Sequence, residues 1–188
     1  MVLMSLNNAQ KAELLDLARA SIKHGLETGQ PLAIDLQHYP AELIVKRASF
    51  VTLEHQGQLR GCIGMLEASR PLIQDIAENA FAAAFRDPRF PPLTEAEFAD
   101  VDLHISILSP AEAIVFTSEQ DLIEQLKPGI DGLILQEGYR RGTFLPSVWE
   151  QLPDALQFLR HLKQKAGLPS NYWSDTLKVS RYRTDMFP

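Results

Sequence analysis

The amino-acid sequence predicts an α+β protein in which a mostly antiparallel sheet is flanked by helices. Seven short segments alternate or concentrate apolar residues as strands do, and four longer segments repeat them at the 3.6-residue period of a helix. Predicted hairpins and helical crossovers follow one another in mixed order, which is typical of this class. With 188 residues, of which 45% are hydrophobic, the chain is long enough to bury roughly 70% of its unfolded surface. We therefore expect one domain over residues 1–188.

The first predicted element is an amphipathic helix that ends near Gly29, since glycine favours a helix C-terminus. Asn7 or Asn8 can cap its start, because an amide side-chain oxygen accepts a hydrogen bond from the first turn. The apolar positions follow the helical period: Leu14, Leu15, Ala18, Ile22 and Leu26. The sequence thus predicts a helix that lies on the surface of the core.

A β-hairpin is predicted next. Residues 49–54 have the composition of a strand, and residues 55–58 form a short turn that contains a glycine. The following strand, residues 59–64, reads Leu-Arg-Gly-Cys-Ile-Gly and holds the only cysteine of the chain. Two strands joined by so short a turn pair in antiparallel fashion.

A helix, a proline-rich arm and a further strand follow the hairpin. Pro71 marks the start of a helix to about Arg86, whose apolar face contains many small residues. Residues 87–92 contain three prolines, which end the helix and make a stiff arm. We expect this arm to be ordered, with Phe90 packed as an anchor. Residues 101–107 then alternate apolar and polar positions, as a strand in a sheet does.

The C-terminal half again mixes strands and helices. In a helix over residues 153–166, we expect the leucines to face the core and Lys163 and Lys165 to face solvent. Trp149 and Trp173 are expected to anchor the core. The remaining predicted elements are strands at residues 113–116, 132–136, 142–145 and 177–183 and a short helix at residues 118–126.

Charge and composition disfavour several classes of function. The formal net charge is -6, so the chain lacks the basic footprint of a nucleic-acid-binding protein. No apolar run approaches the roughly 18 residues of a membrane span, and the N-terminus does not resemble a signal peptide. One cysteine cannot form an intramolecular disulfide. We therefore expect a cytoplasmic protein that binds neither membranes nor nucleic acid.

Residues 59–64 are the strongest candidate for a functional site. Regular alternation along this strand predicts that Leu59, Ile63 and Met65 lie on the core face. The opposite face then carries Arg60, Cys62 and Gly64. Glycine inside a strand often marks a close approach by a ligand, so we expect Gly64 to leave space beside the sulfur. Arg60 is then a cation near the thiol, and a nearby cation favours the nucleophilic thiolate.

Two interpretations of Cys62 follow from the residues alone. In one, Arg60 activates Cys62 as a nucleophile. A general base is then required, and His104, oriented by Asp102 on the same strand face, is the candidate. In the other interpretation, Cys62 is a small packing residue of a binding module and Arg60 is solvated. The sequence leaves both open.

Two further arginines lie at the ends of Asp87-Pro88. Arg86 and Arg89 can converge with Arg60 on a small anionic ligand, because a guanidinium pairs with a carboxylate or phosphate through two hydrogen bonds. The alternative is structural: Arg86 complements a helix C-terminus, and Arg89 pairs with Asp87. The chain has no metal-ligand spacing and no phosphate loop, so we expect no metal ion and no cofactor.

Several motifs in a fixed order make the chain similar to one family. The motifs are LRGCIG (59–64), AFRDPRFPPLT (84–94), ISILSP (105–110), DGLIL (131–135), GTFLPSVWEQLP (142–153) and KAGLP (165–169). Through them the chain resembles the AmmeMemoRadiSam system protein A family, the AMMECR domain family, over nearly its whole length. The resemblance implies an α+β fold of two subdomains with a central cleft lined by residues 59–64. It implies no particular reaction.

The resemblance also implies site residues and partners. Arg60, Gly61, Cys62 and Gly64 match the family motif, whereas Met65 stands where several members carry a hydroxyl or a histidine. The family is associated genetically with a Memo-type protein and a radical S-adenosylmethionine (radical SAM) protein. We therefore expect an enzyme or enzyme component of a small cytosolic modification pathway, or else a non-catalytic module that binds a ligand or protein in the same cleft.

Overall fold

The computed structural model describes residues 5–188, and their contacts divide the chain into two compact units. The first unit holds the described residues up to Leu108 together with Asp185–Pro188, and the second holds Ser109–Thr184. The first four residues of the predicted 1–188 domain lie outside the described residues. In sequence, the second unit is thus an insertion within the first.

Residues 5–188 form six α-helices and eight strands, which confirms the predicted α+β class. The helices are α1 (Asn8–Thr28), α2 (Ala41–Ile44), α3 (Leu72–Phe85), α4 (Glu95–Phe98), α5 (Glu119–Gln125) and α6 (Ala155–Lys165). The strands are β1 (Ser49–His55), β2 (Gln58–Gly64), β3 (Val101–Leu108), β4 (Glu112–Ala113), β5 (Gly132–Glu137), β6 (Arg140–Phe144), β7 (Lys178–Tyr182) and β8 (Thr184–Phe187). Short 3-10 helices occupy Leu36–His38 and Pro146–Glu150.

The strands form two four-stranded antiparallel sheets, one in each unit. The strand order is β2-β1-β3-β8 in the first sheet and β4-β7-β5-β6 in the second. Each sheet contains a hairpin of consecutive strands, β1-β2 and β5-β6, at the positions that the sequence predicts.

Helix α1 begins and ends at the predicted residues. The Asn7 side chain accepts a hydrogen bond from the Gln10 amide at 2.9 Å, and the Gln10 side chain accepts one from the Asn7 amide at 3.0 Å. This reciprocal pair satisfies two amides of the first turn. Gly29 adopts the left-handed conformation at the C-terminus, with φ of 72°, which glycine adopts without strain.

Helices α1 and α3 cover one face of the first sheet, which we call the inner face. Val51 of β1 lies opposite Ile105 of β3 on this face, and both are fully buried. The opposite, outer face of β1 carries the alternate positions, among them Thr52 and Glu54. Strand β2 and helix α3 approach closely at Gly61, where a Cβ atom would lie 2.1 Å from the main-chain oxygen of Ala83. Gly61 therefore belongs to the contact between β2 and α3.

A β-bulge interrupts the strand alternation at Arg60. Leu53 pairs with Gly61 and Glu54 pairs with Leu59, which leaves Arg60 without an opposite residue. The prediction that Leu59 faces the core is therefore wrong: Leu59 lies on the outer face and is 43% exposed. Met65, also assigned to the core face, is 39% exposed. The bulge also removes the regular alternation from which Arg60 and Cys62 were expected to point the same way.

Strand β8 completes the first sheet beside β3 and is tied to α1. The Lys11 ammonium is 2.8 Å from a carboxylate oxygen of Asp185 and 5.2 Å from the centre of the Phe187 ring. The Phe187 side chain is buried in the core of the first unit. The first unit is thus built from two separate stretches of sequence.

The core of the second unit is built around Trp149, as predicted. Its ring stacks on Phe158 with 3.7 Å between centres and 6° between planes, and its Nε1 donates to the Asp131 carbonyl oxygen at 2.7 Å. Trp173 is half-buried at the edge of the same core, 5.5 Å from the Phe116 ring. The second unit therefore combines aromatic packing with a buried hydrogen bond to the strand end.

The prediction that Lys163 faces solvent is wrong. Its side chain is fully buried, 3.0 Å from a carboxylate oxygen of Glu119 and 5.5 Å from the centre of the Trp173 ring. The long apolar stem of lysine can pack in a core when its ammonium finds a carboxylate and an aromatic face. Lys163 thus joins α6 to α5.

Candidate functional site

The outer face of the first sheet carries a row of three side chains across three strands. Thr52 of β1 lies opposite Cys62 of β2 and also opposite His104 of β3. Directly opposite residues of antiparallel strands project on the same face. Cys62, Thr52 and His104 therefore lie in one row, which we call the thiol row.

The Cys62 thiol is half-buried and hydrogen-bonded within this row. The Thr52 hydroxyl donates to Cys62 Sγ at 3.3 Å. A donor aimed at an atom that can become negative stabilises the charged form of that atom. The row thus provides the sulfur with a partner that the sequence did not predict.

His104 lies at the far end of the thiol row. Thr52 separates it from Cys62 by two strand spacings, about 10 Å in total, so the two residues are not adjacent. His104 Nε2 is 3.5 Å from a carboxylate oxygen of Glu54, whereas the predicted orienting residue Asp102 lies opposite Glu54 in the register. Glu54 is therefore the acidic neighbour of His104.

In the structure the arm extends over residues 87–94, two residues beyond the predicted 87–92, and ends where α4 begins. The arm holds the main chain of Cys62 through Asp87. The buried Asp87 carboxylate accepts a hydrogen bond from the Cys62 amide at 3.0 Å and two from the Arg89 guanidinium at 2.7 and 3.0 Å. The bonds from Arg89 hold the pKa of Asp87 well below its ordinary range, with a further contribution from the Cys62 amide. Arg89 Nη2 in turn lies 3.5 Å from the Cys62 carbonyl oxygen. The arm therefore contacts both peptide groups of Cys62.

Arg60 binds the other end of the arm. Its guanidinium donates to both carboxylate oxygens of Glu97, at 2.9 and 3.1 Å, and to the Pro91 carbonyl oxygen at 2.9 Å. Arg60 and the capping hydrogen bonds from Thr94 lower the pKa of Glu97 to about 2. The half-buried Phe90 ring has the Arg60 guanidinium 5.7 Å from its centre, and the buried anchor of the arm is Leu93. Arg60 is thus occupied by a carboxylate of its own unit.

The structure does not bring Arg86 and Gly64 to the sulfur as the sequence predicts. The Arg86 guanidinium lies over the Phe81 ring, 4.8 Å from its centre, and Phe81 packs between α3 and α1 on the inner side of the sheet. A Cβ atom at Gly64 would lie 2.3 Å from the Phe50 ring and 2.4 Å from the Ser49 carbonyl oxygen. The expectation that Gly64 leaves open space is therefore wrong, because Phe50 fills it.

Comparison with known proteins identifies the family. A family model described as AMMECR1 matches residues 15–187, nearly the whole chain. The chain belongs to the AMMECR1 family. The coarser part of the predicted relationship, the AMMECR domain itself, is thereby confirmed.

Relatives of this AMMECR1-family chain share most of its length. A protein from Methanothermobacter thermautotrophicus is 38% identical over 176 residues, which cover 93% of this chain and 91% of the relative. Protein MJ0810 from Methanocaldococcus jannaschii is 39% identical over 174 residues, which cover 90% and 85%. The crystal structure of the uncharacterized protein PH0010 from Pyrococcus horikoshii matches with a TM-score of 0.89 and 32% identity, covering 96% and 92%. These names state no activity, substrate or partner.

Two properties limit the kind of site that this AMMECR1-family chain presents. Within residues 5–188, no group of three or more histidine, cysteine or acidic side chains is placed to hold a metal ion. None of the helices in the described part of the chain is long and apolar enough to cross a membrane.

Sequence reasoning missed Thr52 and gave Asp87 and Glu97 only local roles. Asp87 and Glu97 lie in a stretch, residues 86–97, in which three acidic residues accompany the two arginines Arg86 and Arg89. Acids and bases that alternate in one short segment are a signal for internal ion pairs. Thr52 had no such signal, because its contact with Cys62 depends on the bulge.

Proposed function

We propose that this AMMECR1-family protein is an enzyme, or an enzyme component, of a small cytosolic modification pathway and that Cys62 is its reactive group. The observation that carries the proposal is the hydrogen bond from the Thr52 hydroxyl to Cys62 Sγ. A cysteine that packs only as a small apolar residue has no need of a hydroxyl donor at its sulfur. A nucleophilic thiolate does gain from one.

The thiol row suits a substrate that lies across the strands. The Thr52 hydroxyl, which donates to Cys62 Sγ, stabilises the negative charge of the thiolate, the form of cysteine that acts as a nucleophile. His104, beside Glu54, contacts the substrate about 10 Å further along the row. There the imidazole can donate or accept a proton, as a general acid or base does.

Alkylation of the native protein tests the role of Thr52. Because the chain has one cysteine, every alkylated thiol is Cys62. We expect Thr52→Val to slow alkylation by iodoacetamide at pH 7 about fivefold, since one hydrogen bond is worth about 1 kcal/mol. Thr52→Ser keeps the hydroxyl and is the matched control, with a rate near wild type. Equal rates in all three proteins, or a thiol that reacts only after unfolding, would remove Cys62 as the reactive group.

The finer assignment to the AmmeMemoRadiSam system protein A group, with its Memo-type and radical SAM partners, also belongs to this proposal. It is supported by the six sequence motifs that match the family, from residues 59–64 to residues 165–169, and by no contact in the structure. Co-purification of the native chain with each partner, with and without the other, tests it. Failure of both pairs to associate, together with unchanged activity of each partner, would leave only the family relationship.

The predicted small anionic ligand can be tested with charged alkylating reagents. Arg60 and Arg89 are each paired with a carboxylate, Glu97 and Asp87, so neither presents an unbalanced positive charge. An anion site beside Cys62 would make iodoacetate faster relative to iodoacetamide than it is with a free thiol in solution. We expect no such gain, and a gain would restore the anionic-ligand prediction.

A non-catalytic binding module is the second candidate. It is favoured by the same two ion pairs, because they give Arg60 and Arg89 structural roles as partners of Glu97 and Asp87. In this case Cys62→Ala retains binding of any partner identified by co-purification, and Cys62→Phe, which fills the face, loses it. The enzyme proposal expects Cys62→Ala to abolish the pathway reaction while binding persists.

A further inference from the structure

Cys62 lies on an edge strand, and the arm takes the place of a neighbouring strand beside it. β2 is the first strand of its sheet, with β1 on one side only. An edge strand leaves alternate amide and carbonyl groups without strand partners. At Cys62 these groups meet side chains: the amide donates to Asp87 at 3.0 Å, and the carbonyl oxygen lies 3.5 Å from Arg89 Nη2.

The two arm residues form a charge-balanced pair next to the thiol. Asp87 is 4% exposed and accepts hydrogen bonds from the Arg89 amide, Nε and Nη2 as well as from Cys62. The Arg89 side chain is 55% exposed, so the pair extends from the buried strand edge to the surface. The Asp87 carboxylate contacts the amide of Cys62, and the Arg89 guanidinium lies beside its carbonyl oxygen.

We infer that Asp87 and Arg89 are positioning residues that set the reactivity of Cys62 in opposite directions. The inference rests on the proposed function of Cys62. Asp87 fixes the Cys62 amide and places a negative charge beside the thiol, which disfavours the thiolate. Arg89 places a compensating positive charge at the same position, which favours the thiolate.

Removing either charge alone therefore has a predictable sign. Asp87→Asn leaves the Arg89 charge uncompensated, so thiolate forms more readily and alkylation at pH 7 becomes faster. Arg89→Gln leaves the Asp87 charge uncompensated, so alkylation becomes slower. For a unit charge about 6 Å from the sulfur at a water-exposed edge, each change is about fivefold in rate.

The experiment measures the iodoacetamide rate against pH for the native full chain and four variants. Asp87→Asn is expected to move the midpoint of the pH–rate curve to lower pH, and Arg89→Gln to higher pH. Combining the two substitutions restores charge balance, so the double variant returns towards the wild-type midpoint. Arg86→Gln is the matched control, because the Arg86 guanidinium lies over the Phe81 ring and not beside Asp87 or Cys62.

A purely structural role for the pair gives a different pattern. If the pair only anchors the arm to β2, both single variants shift the midpoint of the pH–rate curve in the same direction, and the double variant shifts it at least as far. That result overturns the inference and leaves the reactive thiol in place. A thiol that no reagent reaches in any variant overturns the proposed function as well. Should Asp87→Asn fail to fold, Arg89→Lys decides: it keeps the charge, so it must retain the wild-type midpoint while Arg89→Gln does not.

Discussion

Asp87 in the first unit and Lys163 in the second are both buried members of an acid–base pair, and their surroundings differ. Asp87 directs its carboxylate at the main chain of an edge strand, beside the only thiol. Lys163 directs its ammonium at Glu119 and lies over the Trp173 ring, and this contact joins two helices. The first pair therefore acts on a residue that can do chemistry, whereas the second holds the core together. This difference is why we place the candidate site in the first unit.

The largest expected effect compares the helix–sheet contact in the two units. A Cβ atom at Gly61 would lie 2.1 Å from the Ala83 main-chain oxygen, whereas one at Gly142 would lie 3.0 Å from the Ala166 main-chain nitrogen. We expect Gly61→Ala to lower the free energy of unfolding by about 3 kcal/mol or more and Gly142→Ala by about 1 kcal/mol. Urea denaturation of both variants measures the difference. Equal losses would mean that α3 can move away from β2 as easily as α6 can from β6.

The second prediction concerns the buried lysine. Glu119→Gln leaves the Lys163 ammonium buried without its carboxylate, and we expect a loss of about 2 kcal/mol in unfolding free energy. Lys163→Met removes the charge and keeps the apolar stem, so it is the matched control and should change stability by less than about 1 kcal/mol. If Lys163→Met lowers the unfolding free energy as much as Glu119→Gln does, the ion pair stabilises the fold more than a buried apolar side chain of similar size would.

The third prediction separates the units by pH, and its effect at neutral pH is the smallest. Asp87 and Glu97 have a lowered pKa in the folded protein, so both stabilise the folded state above the ordinary carboxylate pKa. This stabilisation is lost in acid, for Glu97 as pH falls through about 2. Tyr182 has its pKa raised to about 12 by burial. The stability that the neutral Tyr182 side chain gives the folded state is therefore complete below about pH 10 and is lost as pH rises through about 12.

The chain offers a separate probe for each of these pH limits. Both tryptophans, Trp149 and Trp173, lie in the second unit, and the one cysteine lies in the first. Below pH 4 we expect a thiol reagent that works in acid to label Cys62 before tryptophan emission changes. Above pH 10 we expect the emission to change first. Simultaneous changes of both probes at both limits would show that the two units unfold together.

Local signals in the sequence predicted most of the secondary structure. Asn7, Gln10 and Gly29 act within one turn of their own helix, so the ends of α1 could be predicted from neighbouring residues alone. The hairpin β1-β2 was predicted for the same reason, from a short turn at Gln56 and Gly57. Interactions over a few residues depend little on the rest of the fold.

The register of that hairpin could not be predicted, because one inserted residue changes it. Counting outward from the turn without a bulge would place Thr52 opposite Gly61. The bulge at Arg60 shifts the partner of Thr52 to Cys62 and breaks the alternation between Leu59 and Ile63. The bulged Arg60 donates to Glu97, which lies 37 residues further along the chain. The central contact of the candidate site is thus a tertiary effect.

The sequence leaves two roles open for the arginines, an external anion or internal pairing such as Arg89 with Asp87. The structure pairs Arg89 with Asp87 and Arg60 with Glu97. Arg60 is buried, and a buried arginine needs a carboxylate close by because an unpaired buried charge is strongly unfavourable. The sequence contains these carboxylates, but only the fold decides which of its 24 acidic residues each arginine meets.

The position of β8 in the first sheet has a consequence during synthesis. β3 obtains its second neighbour only when β8 (Thr184–Phe187) is made, after the rest of the second unit. At roughly 5–20 residues per second on the ribosome, translation of the intervening segment takes several seconds. For that interval one edge of β3 remains without a strand partner and open to pairing with other nascent chains. How long the exposure lasts is determined by the length of the second unit and not by the folding rate of the first.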